Sequence, residues 1–173
     1  LFQASHIIIT FGTSWVYRNK ATNAIVANCH KVPQKEFSKE ILSVETIEKS
    51  IQNSLDLIQK INPNANFIFT VSPVRHLKDG FVENQLSKAH LITAIHKILE
   101  SAIYFPSYEI MMDELRDYRF YAEDMIHPNS VAIDYIWQRF SETSISEESH
   151  SIMKEVETIQ KGLQHRPFNP NSE

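Results

Sequence analysis

The stretch HIIITFG, residues 6–12, decides the fold class. It is an almost unbroken run of apolar and β-branched side chains that ends at Gly12. Such a run predicts a strand that is buried on both faces, as in a parallel sheet covered by helices. A second run, FIFTV at residues 67–71, ends at Ser72 and Pro73, and the stretch SYEIMMD predicts a third strand at residues 108–113.

Segments with helical periodicity separate and follow these strands. Apolar residues recur every three or four positions over residues 46–61 and 84–102, again from residue 132 to residue 140, and over residues 146–163. Two short apolar runs around a polar middle predict a β-hairpin within residues 14–32, ended by Pro33. Strands that alternate with helices of this length predict an α/β protein, a three-layer α/β/α sandwich with a parallel sheet.

The expected organisation is a single domain. We predict that residues 1–145 form this domain, that residues 146–164 form a covering amphipathic helix, and that residues 165–173 are a flexible tail. Ligands of parallel sheets bind beyond the carboxyl ends of the strands. Gly12, Ser72 and residues 113–127 lie at or just after the ends of the three predicted strands, so we expect them to meet at one site.

Composition excludes several classes of function. The 173 residues carry a net charge of −4, with a pI of about 6.1, so no basic surface for nucleic acid or an anionic membrane is expected. The single cysteine, Cys29, excludes an internal disulfide and is in keeping with a reducing, cytoplasmic compartment. No apolar run reaches the roughly 18 residues of a membrane span. The chain opens at Leu1, close to a predicted strand and without a signal peptide, so we expect a piece of a longer polypeptide.

The stretch YAEDMIHPNS, residues 121–130, places Asp124 three positions before His127. A carboxylate that holds an imidazole in one tautomer, next to a nucleophilic hydroxyl, is the arrangement of a serine hydrolase. The same pattern is also typical of an aspartate that caps a helix beside a solvated histidine, and Pro128 suits the first turn of a helix. The motif alone leaves both interpretations open.

Five stretches resemble the GSCFA domain, a bacterial family placed in the SGNH (GDSL-like) hydrolase superfamily. They are IITFGTSWVY (residues 8–17), IVANCHKVP (25–33), FIFTVSPVRHLKDGFVENQLSKAHLITAIH (67–96), YFPSYEIMMDELRDYRFYAEDMIHPN (104–129) and AIDYIWQRF (132–140). The resemblance implies an SGNH-type, flavodoxin-like fold that lacks its N-terminal strand in this chain. It also implies a nucleophilic serine in a Gly-Ser-Cys-Phe-Ala motif, which does not occur in these 173 residues and is expected upstream of Leu1.

The resemblance assigns roles to particular residues. Asp124 becomes the orienting acid and His127 the general base. In the superfamily block that usually has the pattern Gly-x-Asn-Asp, this chain has Gly12-Thr13-Ser14-Trp15, so Ser14 takes the place of an oxyanion-binding asparagine. Asn28 is the candidate replacement for that amide. Gly12 is a second candidate for stabilising the oxyanion. The implied substrate is an ester on a carbohydrate or small metabolite, and no organic or metal cofactor is expected.

Other residues have an alternative interpretation. Ser14 and Ser72 are weak candidates for a nucleophile within the chain, because hydroxyls after strands usually bond to the backbone. Arg75 and His76 are candidates for substrate contacts, although a surface salt bridge is an equal alternative for Arg75. Arg116 and Arg119 lie among acidic residues, which predicts a structural ion-pair network. His90 and His96 are expected at the surface. Cys29, His30, His76 and His127 are metal-ligating residue types, but they lack zinc-ligand spacing, so no metal site is expected.

Two functions follow from these observations. The first is an SGNH-like ester hydrolase or acyltransferase with a Ser-His-Asp mechanism. The second is a non-catalytic module on the same fold, which binds a ligand through Arg75, His76 and His127. The acyl group, the acceptor and the oligomeric state are not fixed by the sequence.

Overall fold

A computed structural model describes residues 1–26, 28–29 and 31–164 of the chain. The strands are β1 (His6–Phe11), β2 (Trp15–Asn19), β3 (Ile25–Val26), β4 (Phe37–Ile41), β5 (Asn66–Val71) and β6 (Ile103–Phe105). The α-helices are α1 (Val44–Ile61), α2 (Phe81–His96), α3 (Ser107–Glu109), α4 (Ser130–Ser144) and α5 (Glu147–Gln164). The chain divides into two compact units, Leu1–Ile133 and Asp134–Glu173.

A parallel sheet with the strand order β1-β5-β6 lies in the first unit and is flanked by helices. Strand β5 is central, and every residue of it after Asn66 is buried. The register pairs Phe11 with Val71 and Thr70 with Phe105, so the three strands end at the same edge of the sheet. The strands predicted over residues 6–11 and 67–71 and the parallel arrangement are therefore confirmed.

Strand β1 is not buried on both faces, contrary to the prediction. Its residues alternate between half-buried and exposed, and the side chain of Ile8 is 53% exposed. The reason is its position, since β1 pairs with β5 alone among the described strands. Ile7, Ile9 and Phe11 point into the core, and the opposite side chains do not.

The core lies between the sheet and helices α1 and α2. Phe67, Phe69 and Val71 of β5 face the buried side chains of both helices. These helical side chains are Ile47, Ile51 and Leu55 of α1 and Leu91, Ala94 and Ile95 of α2. On the opposite face of β5, the hydroxyl of Thr70 is 2.7 Å from that of Ser107.

Helices α1 and α2 form where the periodicity predicts them, but their ends differ from the predicted ones. Helix α1 begins after Ser43, whose hydroxyl accepts a hydrogen bond from the amide of Thr46 at 3.2 Å. Helix α2 begins three residues earlier than predicted, after Gly80, which has a φ of 108° that favours glycine. It ends at His96 instead of residue 102, and a 3-10 turn follows at Leu99–Ser101.

The predicted third strand at residues 108–113 is wrong. The strand is β6, which ends before Pro106, and the predicted segment forms α3 and a π-helical turn at Ile110–Glu114. Tyr108, Ile110 and Met111 are buried in this segment, and Tyr108, Met111 and the buried Leu115 just after it recur at three- and four-residue intervals, which is the spacing of a helix. The apolar run at this point is short, and such runs do not distinguish a strand from a buried helix.

The predicted hairpin is part of a larger antiparallel sheet. Strands β2 and β3 pair as expected, and β4 pairs with the other edge of β2 with Tyr17 opposite Lys39. The sequence analysis did not predict β4, because its residues FSKEI alternate weakly and follow a proline-containing loop. This sheet gives the first unit a wall beside the carboxyl ends of the parallel strands.

The second unit contains most of α4 and all of α5, which confirms helices in both predicted segments. Within this unit, a groove of 670 Å³ lies between the two helices. The predicted tail, residues 165–173, lies outside the described residues. Along the described part of the chain, no helix is both long enough and apolar enough to cross a membrane.

Candidate active site

Asp124 and His127 lie in one tight loop and contact each other directly. Oδ2 of Asp124 is 2.6 Å from Nδ1 of His127. Oδ1 accepts hydrogen bonds from the backbone amides of Ile126 at 2.9 Å and His127 at 3.0 Å. Met125, between them, has a φ of 59°. One carboxylate therefore fixes both the backbone of the loop and the plane of the imidazole, which leaves Nε2 directed elsewhere.

A different residue caps the following helix. The side-chain oxygen of Asn129 accepts a hydrogen bond from the amide of Ala132 at 3.1 Å, in the manner of an N-cap of α4. Its amide group donates to the carbonyl of Arg119 at 2.6 Å. The helix-capping interpretation of Asp124 is therefore wrong, since Asn129 occupies that position.

Backbone hydrogen bonds close the loop into a hairpin. Tyr121 and Pro128 form an antiparallel bridge, and the amide of Ala122 donates to the carbonyl of His127 at 2.8 Å. The amide of Asn129 donates to the carbonyl of Phe120 at 2.9 Å. The imidazole is thus carried by a loop with a fixed backbone, although its side chain is 59% exposed.

The same hydrogen bonds change the acidity of Asp124. The bond from the backbone amide of His127, then the contact with its imidazole and the bond from the amide of Ile126, lower the pKa of the Asp124 carboxyl to about 2. Hydrogen bonds to the ionised form of a carboxyl stabilise that form. Asp124 is therefore a carboxylate at neutral pH, as an orienting acid must be.

A cavity of 420 Å³ opens beside His127. Strands β2 and β4 contribute aromatic and basic side chains to it, and the segment after β5 contributes the opposite wall. Its lining residues are Thr13, Trp15, Tyr17, Lys39, Val74, Arg75, His76, Leu77, Lys78, Asp79, Ile126 and His127. We refer to this cavity as the ligand pocket.

The loops that border the ligand pocket are tied to one another. The amide of Ser72 donates to the carbonyl of Phe11 at 2.9 Å, which joins the ends of β5 and β1. The amide of Arg75 donates to the carbonyl of Ile126 at 3.3 Å, which joins the segment after β5 to the loop of His127. The expected meeting of these segments at one edge of the sheet is thus confirmed in the described residues.

Helix α2 carries a buried polar face that the sequence analysis did not identify. Asn84, Ser87 and Lys88 are buried at helical spacing, ahead of the apolar positions that continue the same face. The side chain of Asn84 accepts a hydrogen bond from the amide of His76 at 2.8 Å. The hydroxyl of Ser87 accepts one from the amide of Ser14 at 2.8 Å and lies 2.9 Å from that of Thr13. This polar face fixes the segments after β1 and β5.

Lys88 joins the ends of the two strands. Its Nζ donates to the carbonyls of Gly12 and Ser72, each at 2.7 Å, and the residue is 1% exposed. No carboxylate of the described residues lies within 4 Å of this ammonium group, and burial lowers its pKa to about 8. A buried ammonium without a counter-ion is costly, so its retention here indicates a structural or functional use.

His76 and Arg75 both line the pocket but have different surroundings. Burial, with a further contribution from Lys88, lowers the pKa of His76, so its ring is neutral at physiological pH. The Arg75 guanidinium carbon lies 4.0 Å from the centroid of the Tyr121 ring and 5.5 Å from that of Tyr118. Arg75 therefore stacks on tyrosines and forms no ion pair with any described carboxylate, contrary to the salt-bridge alternative.

The serines of the chain that were considered as nucleophiles bond elsewhere. Ser14 is 1% exposed, and its hydroxyl donates to the carbonyl of Ser87 at 3.2 Å. The hydroxyl of Ser72 accepts a hydrogen bond from the amide of Val74 at 3.2 Å. No described side chain other than Asp124 lies within hydrogen-bond distance of the His127 imidazole.

The candidate oxyanion residues are not brought together. The backbone of Gly12 lies against His76, and a β-carbon built on Gly12 is 3.6 Å from Nε2 of that ring. Asn28 is exposed and does not line the ligand pocket. The Ser14 hydroxyl points into the polar face of α2. Of these candidates, Gly12 is the one that lies next to the ligand pocket.

The remaining candidates lie away from the His127 loop or have simple roles. Arg119 pairs with Asp117 at 3.1 Å, whereas Arg116 lines a separate cavity of 140 Å³ with Arg75. Nδ1 of His90 is 2.7 Å from the carbonyl of Leu42, and that of His96 is 2.9 Å from the carbonyl of Ile92. His30 lies outside the described residues, and among those described no three histidine, cysteine or acidic side chains form a metal-binding group.

Comparison with known families gives a match over most of the chain. A family model described as the GSCFA family matches residues 1–140. The chain belongs to the GSCFA family. The match covers the parallel sheet, the ligand pocket and the loop of Asp124 and His127, so all of the candidate site lies in the GSCFA region, whereas α5 lies outside it. Comparison with curated proteins gives no match to this chain.

Proposed function

We propose that this chain supplies the general base and the orienting acid of an ester hydrolase or acyltransferase with an SGNH-type, flavodoxin-like fold. The observation that carries the proposal is the 2.6 Å contact between Asp124 Oδ2 and His127 Nδ1 at the edge of a pocket. The proposed substrate is an acylated carbohydrate or small metabolite. This chemistry requires no organic or metal cofactor.

The proposed proton transfers follow from this contact. The Asp124 carboxylate keeps the proton of His127 on Nδ1, so Nε2 is the nitrogen that accepts a proton. Nε2 takes the hydroxyl proton of a serine as its oxygen attacks the ester carbonyl carbon, and a tetrahedral intermediate forms. The imidazolium then returns the proton to the leaving alcohol oxygen as the C–O bond breaks. Water, or an acceptor hydroxyl in a transferase, resolves the acyl-enzyme by the same steps.

The nucleophilic serine is proposed to lie outside these 173 residues. Ser14 and Ser72 bond to other groups, and Nε2 of His127 has no hydrogen-bond partner among the described residues. The proposed source of the serine is a segment upstream of Leu1 that places this serine beside the carboxyl end of β1. Gly12, which follows β1, is the proposed contributor to the oxyanion site, because its backbone lies against His76 of the pocket lining.

The second candidate is a binding module without catalysis. The observation that favours it is the pocket itself, in which Arg75, His76 and His127 lie together without a serine among the described lining residues. In this function Asp124 only holds the loop and the ring of His127 in place.

A serine-reactive fluorophosphonate probe distinguishes the two candidates. We would compare the 173-residue chain, a longer polypeptide extended upstream to include the proposed serine, and that polypeptide with His127→Ala. Asp117→Asn is the matched control, because Asp117 is another exposed acid of the same segment, paired with Arg119. Hydrolase function predicts labelling of the longer polypeptide and of the control, and little labelling of the other two proteins. A folded longer polypeptide that does not label, or that labels equally fast with His127→Ala, would rule out the catalytic role.

A further inference from the structure

The ligand pocket has a charge that contrasts with the rest of the molecule. The whole chain carries a net charge of −4. The pocket lining contains three basic side chains, Lys39, Arg75 and Lys78, and Asp79 is the only acid among its described lining residues. With neutral histidines the lining therefore sums to +2, three positive charges less one negative. A concave surface of one sign concentrates ligands of the opposite sign.

The single acid of the lining is already neutralised. Asp79 forms an ion pair with Lys39, whose ammonium also lies 5.6 Å from the ring centroids of both Trp15 and Tyr17. The nearby Asp124 is occupied by His127. Arg75 and Lys78 make no ion pair with any described carboxylate, and Lys78 is exposed at the mouth of the pocket. Lys78 is thus left for a ligand, and the Arg75 guanidinium has further donors beyond its bond to the carbonyl of Met125 at 3.4 Å.

The buried Lys88 adds to this charge from below. Its ammonium donates to the carbonyl of Gly12, which precedes the lining residue Thr13, and it has no counter-ion within 4 Å among the described residues. On the opposite wall, the side chains of Trp15 and Tyr17 offer apolar surface, and the Trp15 indole is held by a hydrogen bond to the carbonyl of Glu83 at 3.2 Å. The pocket therefore combines basic groups of the segment after β5 with an aromatic wall from β2, over which the Lys39 ammonium lies.

We infer that the ligand pocket binds an ester whose acid or alcohol part carries an oxyanion, a carboxylate or a phosphate. Lys78 and Arg75 contact the oxyanion, and Trp15 with Tyr17 contacts the organic body of the ligand. As a statement about substrate class, this inference rests on the proposed function. As a statement about ligand binding, it is testable without catalysis.

The binding test uses an internal reporter. Trp15 lines the pocket, whereas Trp137, the other tryptophan, lies in the second unit. In ¹H–¹⁵N spectra of the 173-residue chain, a Trp137→Phe variant assigns the two indole signals. Benzoate and phenyl phosphate are then compared with the neutral benzamide and benzyl alcohol. We expect the anions to shift the Trp15 signal saturably, with a Kd about tenfold lower than that of the neutral compounds, and to leave the Trp137 signal unchanged.

Charge variants complete the test. Lys78→Gln is expected to weaken benzoate binding about three- to fivefold, as for an exposed ion pair, and added salt is expected to reduce the difference. Lys49→Gln is the matched control, because Lys49 is exposed in the middle of α1 and away from the pocket. Neutral and anionic compounds that bind equally well, or benzoate binding that is unchanged in Lys78→Gln, would overturn the inference.

Turnover separates this inference from the proposed function. Hydrolysis of the acetyl ester is measured for 4-acetoxybenzoate and for its neutral methyl ester, and the two values of kcat/KM are compared. Anion binding without hydrolysis of either ester would disprove the proposed function and leave the binding inference intact. Hydrolysis of both esters at equal kcat/KM, without preferential anion binding, would support the hydrolase and overturn the inference.

Discussion

One carboxylate, that of Asp124, uses its two oxygens on two different parts of His127. Oδ2 contacts the imidazole Nδ1 at 2.6 Å, and Oδ1 accepts from the backbone amide of the same residue at 3.0 Å. The ring and its backbone are therefore held by one group. This geometry makes the tautomer of His127 depend on Asp124.

Asp124→Asn tests that dependence. An amide at position 124 can still accept the backbone bonds through its oxygen, but its nitrogen donates to Nδ1 and moves the imidazole proton to Nε2. We expect kcat to fall by about 10⁴-fold, as for the loss of the orienting acid in serine hydrolases, with a nearly unchanged free energy of unfolding. Ester turnover and the ¹⁵N shifts of the imidazole measure the two effects. Asp117→Asn is the control, and equal losses in both variants would contradict the assignment.

The acidity of Asp124 gives a prediction on pH. Its pKa is lowered to about 2, so the carboxyl is more acidic in the folded than in the unfolded chain. The stabilisation from its hydrogen bonds is complete above the unfolded pKa of about 4 and is lost as the pH falls through about 2. The ¹³C shift of the Asp124 carboxyl and the amide shifts of Ile126 and His127 should titrate together. A midpoint near 4 for these signals would show that the loop bonds do not favour the ionised form.

Lys88→Met tests the cost of the buried ammonium. The Lys88 pKa falls from 10.5 to about 8 on folding, so between these values the unfolded chain binds more protons than the folded chain. Stability therefore rises with pH across this window in the natural protein, and Lys88→Met lacks this contribution. We expect the difference in free energy of unfolding between the two proteins to shift by roughly 3 kcal/mol from pH 8 to 10.5, in favour of the natural protein. Urea unfolding at several pH values measures it, and a constant difference would contradict a lowered pKa.

The contact between Arg75 and Tyr121 predicts an energetic coupling. The guanidinium lies 4.0 Å from the centroid of a largely buried ring, so a cation–π interaction of about 0.5–2 kcal/mol is expected. A double-mutant cycle of Arg75→Met and Tyr121→Leu measures this coupling in the free energy of unfolding. The exposed pair Arg119 and Phe120, at 5.7 Å, is the comparison and should couple more weakly. Additive effects of Arg75→Met and Tyr121→Leu would rule out the interaction.

Much of the fold was predictable because it depends on local pattern. The runs that became β1 and β5 are apolar and short, and α1 carries its stripe and its capping serine in consecutive residues. The Asp124 and His127 contact was also predictable, because three residues of separation let both side chains meet within one turn. These features depend only on residues that are close together in the sequence.

Other features were missed because their signal is not local. The segment after Pro106 has a composition that suits a strand, and its helical form follows from the burial of Tyr108 and Met111 against the domain. The buried polar face of α2 lies at the same helical spacing as its apolar continuation. A search for polar residues on an otherwise apolar stripe would have found Asn84, Ser87 and Lys88.

The sequence by itself determined the α/β class, the order of the main elements and the pairing of an acid with a histidine, because each is encoded over a few consecutive residues. Only the tertiary structure decided that β1 pairs with β5 alone among the described strands, that Asn129 and not Asp124 caps α4, and that Lys88 joins Gly12 to Ser72. The tertiary structure also decided the charge of the ligand pocket, because it brings the basic side chains of separate segments together. These properties depend on which residues, distant in the sequence, are buried together. Burial determines how strong a hydrogen bond or an electrostatic interaction is at such a position.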